Sequence, residues 1–104
     1  DVVISGGENI YPAELENILA DCTDLLEAAV IGRPDERWGE IPVACVVRRP
    51  GSYIQSADVL ELFEGRLARF KHPRGVIFLE NLPRNTMGKV EKFTLRAKFE
   101  ANSP

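Results

Sequence analysis

The sequence predicts an α+β domain: a small mixed or antiparallel sheet of about three strands plus an N-terminal β-hairpin, flanked by about three helices. Three observations carry that expectation. Leu15, Ile18, Leu19 and Cys22 fall at i, i+3, i+4 and i+7, the spacing of one buried helix face. Leu25 to Gly32 is a mostly buried type of strand run, and Ile41, Val43, Cys45 and Val47 alternate with smaller or polar neighbours as a strand does. Turn residues such as Gly6-Gly7 and Pro34 punctuate the chain between these stretches.

Asp1 to Ser5 is a short apolar run ending in the double glycine, which permits a tight turn or close backbone approach. Tyr11-Pro12 opens the first helix, with Pro12 suited to its first turn. A loop from Arg33 to Glu40 carries Pro34, Trp38 and Gly39. After a turn-rich connection from Arg48, Ser56 is placed to cap a second helix whose apolar face is Val59, Leu62, Phe63, the Arg66 stem and Leu67. Arg69 to Gly75 is a basic loop containing Phe70. Val76 to Leu79 reads as a third strand. Pro83 to Val90 is a loop or tight hairpin turned by Asn85 and Gly88, and Glu91 to Glu100 a terminal helix.

With 104 residues the chain reads as one domain over residues 1–104, large enough for one core. Apolar residues make up 44% and charged residues 28%, as in a soluble globular domain. Thirteen basic against 16 acidic residues leave a formal charge of −3, so no bulk basic character points to nucleic acid. Cys22 and Cys45 lack metal-motif spacing and are compatible with two buried thiols or one disulfide. A single histidine, His72, argues against zinc, and no metal site is expected. No apolar run approaches the ~18 residues of a transmembrane segment, and no signal peptide is visible. The expected location is cytoplasmic. The start has no Met and opens on an apolar run, which reads as a cut inside a longer protein.

Three motifs have chemistry to offer, each beside a plainer reading. Lys89 follows Gly88 at a turn. It is either an exposed loop lysine or a point charge delivered to phosphate oxygens from a stiff tip. Gly6 and Gly7 are either an ordinary hairpin turn or a smooth track along which a ligand chain can slide. They belong to no phosphate-cradling glycine loop of the Walker or Rossmann type. Trp38 either packs partly into the core or offers its face to a base, with the Arg69–Arg74 loop supplying cations for phosphates.

Taken together, the order and spacing of these motifs are more specific than any one. SGGENIYPAELE over residues 5–16, RPDERWGE over 33–40, FKHPR over 70–74 and LPRNTMGKVEK over 82–92 precede a final helix. This pattern, which covers essentially the whole chain, resembles the C-terminal domain of acyl- and aryl-CoA ligases of the adenylate-forming, AMP-binding superfamily. It is near in pattern to benzoate- and chlorobenzoate-CoA ligases. The resemblance implies a mobile small domain whose large N-terminal partner domain lies outside this chain. Such enzymes join a carboxylate, ATP and CoA into acyl-CoA, AMP and pyrophosphate through an acyl-adenylate, with Mg2+ in the full-length enzyme. The small domain rotates between the two half-reactions.

Position by position, Lys89 matches the family's adenylation lysine and is the implied catalytic residue. Gly6 and Gly7 match the hairpin that lines the pantetheine tunnel. Trp38, Phe70, His72 and Arg74 match places that touch the CoA nucleotide, with His72 standing where a more basic residue is usual. Met87 is bulkier than the usual residue before Gly-Lys, which implies a stiffer or shielded tip. The implied partners are the protein's own N-terminal domain, CoA and the acyl-adenylate, with no nucleic acid and no transmembrane segment. Alone, these residues are expected to be inactive. Two alternatives stand beside this reading: an adenylation domain feeding a carrier protein or a luciferase-like enzyme, and a non-catalytic binding module of the same fold. The SGGENIYP wording favours CoA ligases over amino-acid-activating domains, which read more like KIRG there.

Overall fold

The structure, a computed structural model, describes residues 1–100. Strands β1 (Val3–Ser5) and β2 (Glu8–Ile10) form an antiparallel hairpin with Val3 opposite Ile10. Its turn is Gly6-Gly7, at φ +57° and +82°, a backbone region that a side chain makes costly. Helix α1 (Pro12–Ala20) follows at once. Tyr11 is its extended N-cap, and Pro12 supplies a pre-set φ where no N–H is needed. The helix buries Leu15, Ile18 and Leu19, as their spacing requires, whereas Cys22, expected on the same face, lies beyond the helix end and is half-buried.

Strands β3 (Leu25–Asp35) and β4 (Gly39–Arg48) form a long antiparallel ribbon, paired from Leu25–Arg48 to Asp35–Gly39. The other edge of β4 is shared. β1 meets it at Gly39, and β5 (Gly75–Phe78) runs parallel to its Val43–Val46 stretch. The five-stranded sheet is therefore mixed, in the order β2-β1-β4-β3 with β5 also on β4. Helix α2 (Ser56–Glu61) lies between β4 and β5, and α3 (Lys92–Glu100) closes the described chain.

The core has two layers, one on each sheet face. Val30, Ala44 and Val46 meet Leu15, Leu19, Val59 and Phe63 on the side of α1 and α2. Ala29, Ile31, Val43, Cys45 and Val47 meet Leu82 and Leu95 on the side of α3. Both layers draw alternate residues from the same ribbon, as strand geometry demands. This explains why β4 departs from a simple polar alternation. Ala44 and Val46 are as buried as Val43 and Cys45, because helices cover both faces.

Three sequence expectations need correcting. Arg33 to Glu40 is mostly strand, with only Glu36 to Trp38 left as the turn. Pro34 is accommodated because β3 is an edge strand, where proline is tolerated. The N-cap of α2 is Gln55 rather than Ser56, and it forms a reciprocal capping pair with Asp58. That helix stops at Glu61. Beyond it the chain continues in short turns, including Arg66 N–H to Phe63 O, and Gly65 at φ +74° rules out a longer helix. Phe63 is nonetheless fully buried, so the apolar pattern located the core contact without the right element.

Cys22 and Cys45 are both free thiols. Burial pushes the Cys45 thiol from 9.0 up to about 12, against the opposing pull of the Lys92 ammonium. A raised folded pKa means stability is complete below 9.0 and is lost as pH climbs from there toward about 12. Urea unfolding at stepped pH should show a loss of about 1.4 kcal/mol per pH unit in that window relative to Cys45→Ala. Identical pH profiles for the two proteins would contradict a buried, protonated thiol.

Candidate functional site

Two sets of candidate residues sit at opposite ends of the β3–β4 ribbon. At its tip, the Asp35 carboxylate accepts the N–H groups of Arg37 (3.1 Å) and Trp38 (2.9 Å), and Gly39 at φ +85° completes the reversal. This fixes Trp38 against the glycine hairpin. The Gly6 N–H donates to the Trp38 carbonyl at 2.8 Å. A Cβ on Gly6 would lie 2.8 Å from Trp38 Cε3, so glycine is required by contact as well as by φ. Gly7 differs: a Cβ there would meet nothing within 4 Å, leaving its face open.

Two guanidiniums flank the indole, Arg37 at 5.0 Å and Arg74 at 5.2 Å from the ring centre. Arg74 is tied to the sheet by its N–H to Pro42 O at 2.8 Å. It also lines a neighbouring cleft of about 660 Å³ with Phe70, His72, Leu60, Glu61 and Glu64. Gly6, Trp38 and Arg74 thus form one contact group, and Arg74 joins it to the Phe70–His72 cleft. His72 is largely committed to holding the loop. Its Nε2 lies 3.0 Å from the Leu67 carbonyl, which can only accept, so that nitrogen carries the proton. Its ring sits 6.0 Å from that of Phe63.

Lys89 occupies a separate turn. Arg84 and Val90 form a bridge, Asn85 N–H donates to Lys89 O (2.8 Å), and Gly88 N–H donates to Asn85 O (3.0 Å). The Asn85 side-chain oxygen accepts from Met87 N–H (2.9 Å) and Lys89 N–H (3.0 Å). Gly88 has φ +85°, which makes the reversal possible. The Lys89 ammonium carries no ion pair among the described residues and faces an open cleft shared with Phe93 and Arg96. Met87, expected to stiffen or shield the tip, stands in solvent at 86% exposure.

Two features of this turn escaped the sequence reading. Arg84 donates from Nη1 to Gly88 O (2.6 Å) and from Nε to a Glu27 carboxylate oxygen (3.1 Å), with Nη2 on the same oxygen. Glu27 stands in β3, near the end opposite Trp38. Residues 27 to 35 at about 3.3 Å of rise each put the anchor points of the two turns on the order of 25 Å apart. Among the described residues, no group of three or more His, Cys, Asp or Glu side chains could hold a metal ion. No helix of the described residues is long and apolar enough to cross a membrane.

Comparison with known proteins gives a consistent result. The sequence pattern of the family described as AMP-binding enzyme C-terminal domain matches residues 14–89. An indoleacetate–CoA ligase of Aromatoleum aromaticum is 54% identical over 96 residues, covering 92% of this chain and 19% of the relative. A 4-chlorobenzoate–CoA ligase of a Pseudomonas species is 48% identical, covering 99% of this chain and 20% of the relative. The crystal structure of ATP-bound MatB from Rhodopseudomonas palustris superposes with a TM-score of 0.92 at 47% identity, covering 96% of this chain and 20% of that one. The chain spans about a fifth of the length of the curated relatives it matches.

Trp38 is the sole tryptophan, so its emission reports the Gly6 contact directly. Gly6→Ala should shift the emission maximum by displacing the ring, whereas Gly7→Ala should leave it in place. Unchanged fluorescence in Gly6→Ala would show that the indole does not rest on that glycine.

Proposed function

This chain belongs to the AMP-binding enzyme C-terminal domain family, and from that we propose that it is the small domain of an ATP-dependent acyl- or aryl-CoA ligase. The observation that carries the reading is the separation of Lys89, unpaired among the described residues, from a glycine–tryptophan–arginine group, each on its own turn at its own end of one ribbon. In the first half-reaction a carboxylate oxygen attacks the α-phosphorus of ATP, and the bond to pyrophosphate breaks. Lys89 supplies a positive charge where the phosphate and carboxylate oxygens gather negative charge. In the second, the CoA sulfur attacks the acyl carbon, the thiol proton leaves, and the bond to AMP breaks.

For that second step, Gly6 and Gly7 offer a backbone track for the pantetheine arm. The open side of Gly7 supports this, since nothing there obstructs a narrow chain. Trp38, Phe70 and Arg74 offer an aromatic face and a cation to the CoA nucleotide. His72 contributes chiefly by shaping that loop, because its Nε2 is already engaged. The acyl pocket, most ATP contacts and the Mg2+ that accompanies the phosphates are assigned to an N-terminal domain. The small domain is proposed to cover residues 1–104. A cytoplasmic location is proposed, supported by two unbridged cysteines.

Single-turnover assays on the full-length enzyme test the assignment. Lys89→Ala should slow adenylation by about 10²–10³-fold and leave thioester formation from preformed acyl-adenylate nearly unchanged. Gly7→Leu should do the reverse, because its side chain enters the open track. Equal damage to both steps in both variants would reduce the relationship to one of fold. In the same enzyme Trp38→Ala should raise the KM for CoA and spare that for ATP. Parallel rises in both would remove the nucleotide-binding role from the indole.

A further inference from the structure

We propose that Arg84 and Glu27 are positioning residues for adenylation, holding the turn that aims Lys89. The inference rests on the role of Lys89 given above and adds the device that fixes its aim. The Lys89 side chain makes no hydrogen bond or ion pair that could orient it among the described residues. Its direction therefore depends on the backbone that bears it. That backbone is held from two sides. Asn85 gathers Met87 N–H and Lys89 N–H onto one oxygen, which closes the turn internally. Arg84 then fastens the closed turn to the sheet. One nitrogen holds Gly88 O, the residue before Lys89, while two others hold Glu27 on β3.

The arrangement suits arginine. A planar guanidinium presents donors in a fixed fork, so one side chain can hold a carbonyl and a carboxylate in a set relation. Glu27 supplies the immobile end. It lies on a strand whose neighbours Ala28 to Ile31 pack into both core layers. As a stability device the pair has little weight. The side chains are 44% and 21% exposed, and ion pairs that reach solvent add little to stability. Its geometric consequence is larger, because the contact falls on the residue adjoining the charged one. A shift of about 1 Å in a catalytic group can cost about 100-fold in rate.

The test uses the full-length enzyme with Arg84→Ala, Glu27→Gln, Lys89→Ala and the Arg84→Ala/Lys89→Ala double variant. Adenylation and thioester formation from preformed acyl-adenylate are followed separately in single turnover. Arg84→Ala and Glu27→Gln should each slow adenylation by about 10- to 100-fold, with little change in the KM for ATP and a normal thioester step. The double variant should be no slower than Lys89→Ala, because Arg84 acts through that lysine. Glu27→Gln is nearly isosteric and preserves the test if Arg84→Ala folds poorly. Wild-type adenylation in Arg84→Ala and Glu27→Gln, beside a crippled Lys89→Ala, would overturn the positioning role and leave the proposed function standing. Additive losses in the double variant, or equal losses in both half-reactions, would also overturn it. Normal adenylation in Lys89→Ala would instead remove the role of Lys89 and the positioning role with it.

Discussion

Everything in this domain is referenced to the β3–β4 ribbon. Its central residues are buried on both faces, with Val30 and Ala44 toward α1 and Ile31 and Val43 toward α3. A strand buried on one side only is already fixed in register, since a one-residue slip turns its apolar set outward. Here a slip would exchange two different packed layers at once. The ribbon is consequently stiff in register and flanked by close-packed side chains, and close packing resists small displacements. Both candidate groups inherit that rigidity. The Gly6–Trp38–Arg74 group is attached to its tip, and the Lys89 turn to its base through Glu27.

The two ends are prepared differently. At the tip, the aromatic surface is preassembled: Trp38 rests on Gly6, and two guanidiniums stand beside it before any ligand arrives. That suits a large, mobile ligand, because ordering the protein during binding would subtract from affinity. At the base, the turn is preorganised while the Lys89 ammonium has no ion pair among the described residues. On the role proposed for Lys89, a charge that stabilises a transient excess of negative charge must not be neutralised beforehand, whereas its backbone support must be fixed. Pairing Arg84, rather than Lys89, with a carboxylate meets both requirements.

The residues that could be read from sequence were those whose signal is local. The face of α1 followed from apolar spacing, and the Gly6-Gly7 turn from the lack of side chains. The positions of Lys89 and Trp38 on turns followed from neighbouring Gly88 and Gly39. What stayed hidden depended on separation in the chain. Nothing local in Glu27 distinguishes it from other surface glutamates, because its partner Arg84 is brought near only by the fold. Arg33 to Glu40 was misread because proline and glycine suggest a loop, while an edge strand and a tight reversal accommodate both. The bond between His72 and the Leu67 carbonyl likewise carries no sequence signature.

Rigidity and separation together determine how such a domain could serve two steps. The anchor points of the two turns are on the order of 25 Å apart along a strand. A single acyl carbon, bonded first to AMP and then to sulfur, travels only a few bond lengths between the reactions. One reaction centre therefore cannot touch Lys89 and the glycine track at the same moment. Bending the ribbon to bring them together would break both core layers. Swinging the Lys89 turn alone would break its tie to Glu27 on β3. The remaining motion is displacement of the domain as one body, with its internal contacts intact and only its junction to the rest of the enzyme changing. On the proposed roles, the two-faced ribbon thus favours whole-domain movement, because both turns are tied to one strand.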